Sequence, residues 1–258
     1  MNHLEALTRL RDEMKQWTTN NLLALKEMID ENSNNVEDSE PVESTTRWTG
    51  KKCAAFGDSV TWYDGQTYNL NTKESGITVK GFPSYMREEL GLTVDNYGIS
   101  GYTTPQICTK IKGTDISNYD MITILAGIND FRDHASEVVG EVLPIGSTFD
   151  EATFAGAYQS MIESILTRRP DVKIYIFTPF KVWYQNLEIT EDYIDVIKEI
   201  GKTYGIPVLD LYSNSGFNKL TKATFIVDDL SKVAFEFHPS TIGYKRISEL
   251  IIPFLLNN

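Results

Sequence analysis

The chain has 258 residues, 41% of them hydrophobic and 23% charged, with a formal net charge of −12. That length suits one large domain with an appendage. The acidic balance argues against nucleic acid or an anionic membrane as partner, since both reward Lys and Arg, and no apolar run approaches the ~20 residues of a membrane helix.

Residues 1–31 read as one helix. Leu7, Leu10, Met14, Trp17, Asn21, Ala24 and Met28 follow a 3-4 spacing, and a polar Asn21 inside such a seam is a common register device. The spacing predicts a coiled-coil segment that makes a homo-oligomer, the alternative being an amphipathic helix docked on its own domain. Residues 32–50 follow as a linker. From Glu27 to Glu43 there are seven acidic residues and no basic one, and like-charge repulsion disfavours a packed structure there.

From residue 51 to 258 the pattern alternates. Strands are predicted at Lys52–Phe56, Leu92–Tyr97, Met121–Ala126, Val172–Phe177 and Pro207–Leu211. Helices are predicted at Pro83–Leu90, Pro105–Ile111, Phe149–Arg168, Glu191–Tyr204 and Ser240–Leu255. Near-continuous apolar strands alternating with helices argue for an α/β fold, a five-stranded parallel sheet covered on both faces and wound like flavodoxin. Ligands of such sheets bind outside the carboxyl ends of the strands. Cys53 and Cys108 fall within predicted elements and read as small buried apolar residues, with no disulfide framework or zinc site implied.

The first three predicted strands end alike. Gly57-Asp58-Ser59 follows the first, Gly98-Ile99-Ser100-Gly101 the second and Gly127-Ile128-Asn129-Asp130 the third. Each turn alone has an ordinary reading as a turn or helix cap. At one rim of one sheet they supply a serine hydroxyl, and beside it the Ser59 backbone amide, the close-approaching backbone of Gly101 and the amide donor of Asn129, which are the parts of an oxyanion hole. A serine needs a base, and histidine is the usual one. Of the three histidines, His3 lies in the N-terminal helix and His134 reads as a loop residue. His238 stands in Phe237-His238-Pro239 just before the closing helix, and is the predicted base.

These four blocks, Gly57-Asp58-Ser59, Gly101, Gly127-Ile128-Asn129-Asp130 and His238-Pro239, resemble in order those of the SGNH (GDSL-like) hydrolases, over about Lys51 to Leu256. The resemblance implies a flavodoxin-like three-layer α/β/α sandwich and a serine esterase or lipase. It implies Ser59 as nucleophile, His238 as general base, and Ser59 N–H, Gly101 N–H and the Asn129 side chain around the oxyanion. It implies no cofactor and no metal. One position departs from the family: three residues before the histidine, where an Asp usually orients the imidazole, stands Phe235. Glu236 or a main-chain carbonyl can take over that task, with Asp228 or Asp229 behind them.

Asp58, Trp62, Tyr63 and Trp183, together with Tyr68, Phe82 and Tyr184, lie at the expected rim as candidate substrate contacts. Aromatics there suit sugar rings, so the expected reaction is hydrolysis of an O-acyl group, most simply acetyl, on a carbohydrate, with a lipase-like small-ester hydrolase beside it. The alternative raised by Phe235 is a weak or inactive carbohydrate-binding or structural module, for example of a phage tail. The charged N-terminal residues do not read as a secretory signal, which leaves a cytoplasmic or virion-associated setting undecided.

Overall fold

A computed structural model describes residues 45–132, 138–185, 187–188 and 191–258, together with helical Lys15, Gln16 and Asn21. The predicted N-terminal coiled coil (apart from those three residues), the predicted linker up to residue 44, His3 and His134 lie outside the described residues.

Thr45–Asn258 forms one compact unit. Its centre is a five-stranded parallel sheet of β1 (Lys52–Gly57), β2 (Thr93–Gly98), β3 (Met121–Leu125), β4 (Lys173–Phe177) and β7 (Val208–Leu209), in the order β2-β1-β3-β4-β7. This is the expected α/β sandwich with the flavodoxin-like strand order. β3 is buried at every residue, as a strand with helices on both faces must be, whereas the edge strand β2 carries Thr93, Asp95 and Asn96 and is partly exposed. The pairing sets Gly57 opposite both Gly98 and Leu125. The carboxyl ends of β1, β2 and β3 therefore stop level, and their three following turns open side by side.

Helix α1 (Ser59–Trp62) follows β1 directly, α2 (Phe82–Leu90) precedes β2, and α3 (Thr104–Lys112) and α4 (Ile128–Arg132) follow β2 and β3. Helices α5 (Phe154–Arg168) and α6 (Glu191–Tyr204) flank β4, and the short α7 (Leu211–Asn214) and α8 (Lys222–Phe225) lead to the closing helix α9 (Thr241–Asn257). α2 packs on α9, while α3, α5 and α6 pack in a row. Aromatic contacts tie the first pair to the sheet: Phe82 of α2 and Phe254 of α9 both meet Phe177 of β4. β7 is shorter than the sequence predicts because Asp210 ends it, its Oδ1 accepting the Ser213 N–H of α7. α5 starts five residues later than predicted, where Thr153 caps it by accepting the Gly156 N–H. Cys53 and Cys108 are buried and unpaired; burial pushes their thiols up to about 12 and about 11.

An antiparallel sheet absent from the sequence reading joins β5 (Trp183–Tyr184) to β6 (Leu187–Glu188) and β8 (Phe235–Glu236), in the order β6-β5-β8. Strands of two residues are too short to show any period.

One close approach fixes where α1 sits. A Cβ at Gly98 would stand 2.3 Å from the Trp62 backbone nitrogen, so only glycine lets α1 cross the end of β2. Gly98→Ala must shift backbone, and its urea midpoint should fall by the equivalent of about 1–3 kcal/mol at unchanged m-value. An unchanged midpoint would refute this account of the crossing.

Candidate active site

Ser59 owes its position to a tight turn. A Cβ at Gly57 would lie 2.2 Å from Thr61 Oγ1 and 2.7 Å from the Leu125 carbonyl, so β1 can turn into α1 only at a glycine. Asp58 caps α1, its Oδ1 accepting the Val60 N–H at 2.9 Å, and Ser59 follows as the first helical residue. The Tyr244 hydroxyl donates to the Val60 carbonyl at 2.9 Å and holds α1 from the side of α9. Asp58 is wholly buried in this cap, which corrects its reading as a substrate contact.

His238 meets this serine across 179 residues of chain: Nε2 lies 2.9 Å from Ser59 Oγ. Its other nitrogen, Nδ1, lies 2.8 Å from Asp228 Oδ1. The second carboxylate oxygen of Asp228 accepts the backbone N–H groups of Phe237 and His238, at 2.7 and 2.8 Å. Asp228 reaches the ring because two segments run antiparallel there. Ile226 bridges Pro239, and the Val227 N–H donates to the His238 carbonyl.

That geometry reverses the sequence ranking. Neither Glu236 nor a main-chain carbonyl orients His238. Glu236 turns to the other face of β8 and pairs with Lys222. Asp229 bonds Ser231 and Lys232, and the Ser231 hydroxyl holds its carboxyl below the usual range. Phe235, at the position expected for Asp, packs edge-on against the imidazole at 5.7 Å between centroids, and Tyr63 does so at 4.9 Å. The loop itself is pinned. The Tyr68 hydroxyl donates to the Pro239 carbonyl, and Thr241 gives both its N–H and its hydroxyl to Glu74 Oε2.

Opposite this relay lies the turn after β2. Gly101 has φ +83°, a left-handed conformation natural to glycine, and a Cβ there would meet nothing within 4 Å. The turn after β3 grips this segment. Asn129 Nδ2 donates to the Tyr102 carbonyl at 2.9 Å, and the Asp130 carboxylate accepts the N–H and hydroxyl of Thr104, the first residue of α3. A side-chain amide has two N–H donors, and Tyr102 takes one. A nucleophile, a base oriented by a carboxylate, and amide donors at one rim are the components of acyl transfer through a tetrahedral oxyanion. Among the described residues, no group of three or more His, Cys, Asp or Glu is placed to hold a metal ion, and no helix is long and apolar enough to cross a membrane.

The model of the GDSL-like lipase/acylhydrolase family matches residues 55–246. The chain belongs to this family. GDSL-like acylhydrolases are ester hydrolases, and the match spans all four blocks read from the sequence. Solved structures show the same fold. A protein from Lactobacillus plantarum is similar at 22% identity and TM-score 0.63, over 80% of this chain and 97% of that one. A possible lipase from Chitinophaga pinensis is similar at 18% identity and TM-score 0.59, over 80% of this chain and 100% of that one. A catalytic mutant of an acetylxylan esterase from Geobacillus stearothermophilus is similar at 21% identity and TM-score 0.52, over 80% and 94%. Comparison with the curated proteins found no match.

Within this GDSL-like site the expected aromatic rim is largely core. Trp183, Tyr68 and Phe82 are no more than 2% exposed, so Trp183 cannot stack on a ligand. Trp62 remains partly exposed and packs edge-on against Tyr63. Tyr63 is itself buried against His238, and burial together with the Asp228 charge pushes its phenol up.

The two carboxylates can be told apart by substitution. Asp228→Asn should lower ester hydrolysis by about 10⁴-fold, as loss of an orienting aspartate does in serine proteases. Glu236→Gln should leave the rate within an order of magnitude while lowering thermal stability, because it strands Lys222. Equal rates for wild type and Asp228→Asn would remove Asp228 from the relay.

Proposed function

We propose that this chain is a serine esterase that removes an O-acyl group, most simply acetyl, from a carbohydrate. The observation that carries the reading is the continuous relay from Ser59 Oγ through His238 to Asp228, at 2.9 and 2.8 Å. Ser59 Oγ attacks the acyl carbonyl carbon while Nε2 of His238 takes the hydroxyl proton. Asp228 accepts the Nδ1–H, which fixes the tautomer that leaves Nε2 free to accept, and offsets the charge of the imidazolium that forms. The carbonyl oxygen becomes an oxyanion held by the Ser59 and Gly101 N–H groups and the second N–H of Asn129, donors worth about 3–4 kcal/mol each in measured cases. The C–O bond to the alcohol then breaks, and the departing oxygen takes the proton from Nε2. Water, deprotonated by the same nitrogen, attacks the acyl-serine and releases the acid.

Trp62, partly exposed and three residues after Ser59, favours a carbohydrate alcohol, and the likeness to an acetylxylan esterase agrees with that choice. The rival reading, an inactive binding module, rested on Phe235 in the place of Asp; with Asp228 on Nδ1 it loses its support.

Purified wild-type protein should hydrolyse p-nitrophenyl acetate and be labelled by a fluorophosphonate probe. Ser59→Ala should lose labelling and at least about 10³-fold of the rate. Equal hydrolysis by wild type and Ser59→Ala, with neither labelled, would sink the serine mechanism.

A further inference from the structure

The small β6-β5-β8 sheet stands beside His238, and its two faces differ sharply. Directly opposed residues of antiparallel strands share a face. Glu188, Trp183 and Glu236 are opposed across the three strands and make the inward face, with Trp183 1% and Glu236 4% exposed. Leu187, Tyr184 and Phe235 are opposed in the same way and make the other face. There Leu187 is 63% exposed, and Tyr184 and Phe235 are half-buried. Neighbouring groups support the face. Phe235 stacks on buried Phe237 at 5.1 Å, Tyr184 lies 6.3 Å from the same ring, and the Gln185 N–H donates to the Ala234 carbonyl. The result is an open aromatic ledge whose inner end, Phe235, touches the imidazole of His238.

We propose that this ledge is the binding surface for the sugar ring of the departing alcohol, with Tyr184 and Phe235 as the residues that select it. The proposal rests on the esterase reading above and adds to it a place for the alcohol. The direction follows from the chemistry. When the tetrahedral intermediate collapses, the bond from the acyl carbon to the alcohol oxygen breaks and that oxygen takes the Nε2 proton. The alcohol must therefore stand on the His238 side, away from Gly101 and Asn129. Phe235 is the side chain that continues the surface outward from that imidazole. An open, flat ledge suits a pyranose: its C–H face lies on the two rings while its hydroxyls stay in water. A long acyl chain would instead need an enclosed apolar channel to leave water.

Three esters separate the outcomes: an acetylated xylo-oligosaccharide, ethyl acetate and ethyl decanoate. In Tyr184→Ala the ratio of kcat/KM for the sugar ester to that for ethyl acetate should fall roughly tenfold, mostly through KM, the scale of one lost ring contact. Phe235→Leu, which keeps an apolar wall against His238 but removes the flat ring, should lower the same ratio. Ile145→Ser, at an exposed apolar residue outside the ledge, should leave all three rates as in wild type. A ratio within about twofold of wild type in both ledge variants, with ethyl acetate hydrolysis still dependent on Ser59, would overturn the ledge and spare the esterase. A selective loss on ethyl decanoate would overturn it as well, in favour of an acyl-chain surface. Hydrolysis independent of Ser59 would overturn both readings.

Discussion

The site depends on how the Asp228 carboxylate is held. One oxygen meets Nδ1 of His238, and the other takes two backbone N–H groups from the loop that carries that histidine. Carboxylate and imidazole are thus locked to the same piece of main chain, so their relative position does not depend on distant packing. The group is almost fully buried, where hydrogen bonds to charge are strong and costly to leave unmade. With the ring fixed at Nδ1 and walled by Tyr63 and Phe235, Nε2 has one direction left, and Ser59 Oγ stands in it.

What remains is to bring a serine from one end of the domain to a histidine near the other, and the sheet does this. Parallel strands that end level place their following turns at one rim, and two glycines let α1 lie close against it. Tyr244 ties α1 to α9, and Tyr68 ties the His238–Pro239 loop to the segment after α1. Both tyrosines bury their rings in the core and use a hydroxyl to set a loop. This arrangement serves a site built on turns, because the turns borrow their rigidity from packed neighbours.

The long-range frame is legible in the sequence because it rests on repetition. β1, β3 and β4 are strands of five or six residues in which all but one residue is apolar or glycine, and helices such as Glu191–Tyr204 carry a full amphipathic period. Ser59, Gly101, Asn129 and His238 are legible for another reason: each sits where a strand has just ended or a helix is about to begin. Asp228 has no such marker. It is one acidic residue in a loop with Asp229 beside it, and the antiparallel bridge that selects it joins single residues. Trp183 misleads in the opposite way. It follows the fourth large strand, where a loop residue would face the rim, but β5 turns it inward and leaves Tyr184 outside. Alternation along a two-residue strand decides which aromatic is seen, and two residues carry no pattern.

The position of the aspartate bears on the small sheet as well. An imidazole base needs an acceptor at Nδ1, here the Asp228 carboxylate, and the number of residues between the two has no bearing on that bond. With the carboxylate supplied by Asp228, ten residues back, the position three before His238 is released from that duty. The chain between them forms β8, which pairs with β5. Phe235 stands where an orienting Asp would have stood, still against the imidazole and paired across the strands with Tyr184. With the carboxylate supplied from elsewhere, position 235 is left half-buried beside the imidazole, where its side chain can differ without removing the hydrogen bond at Nδ1.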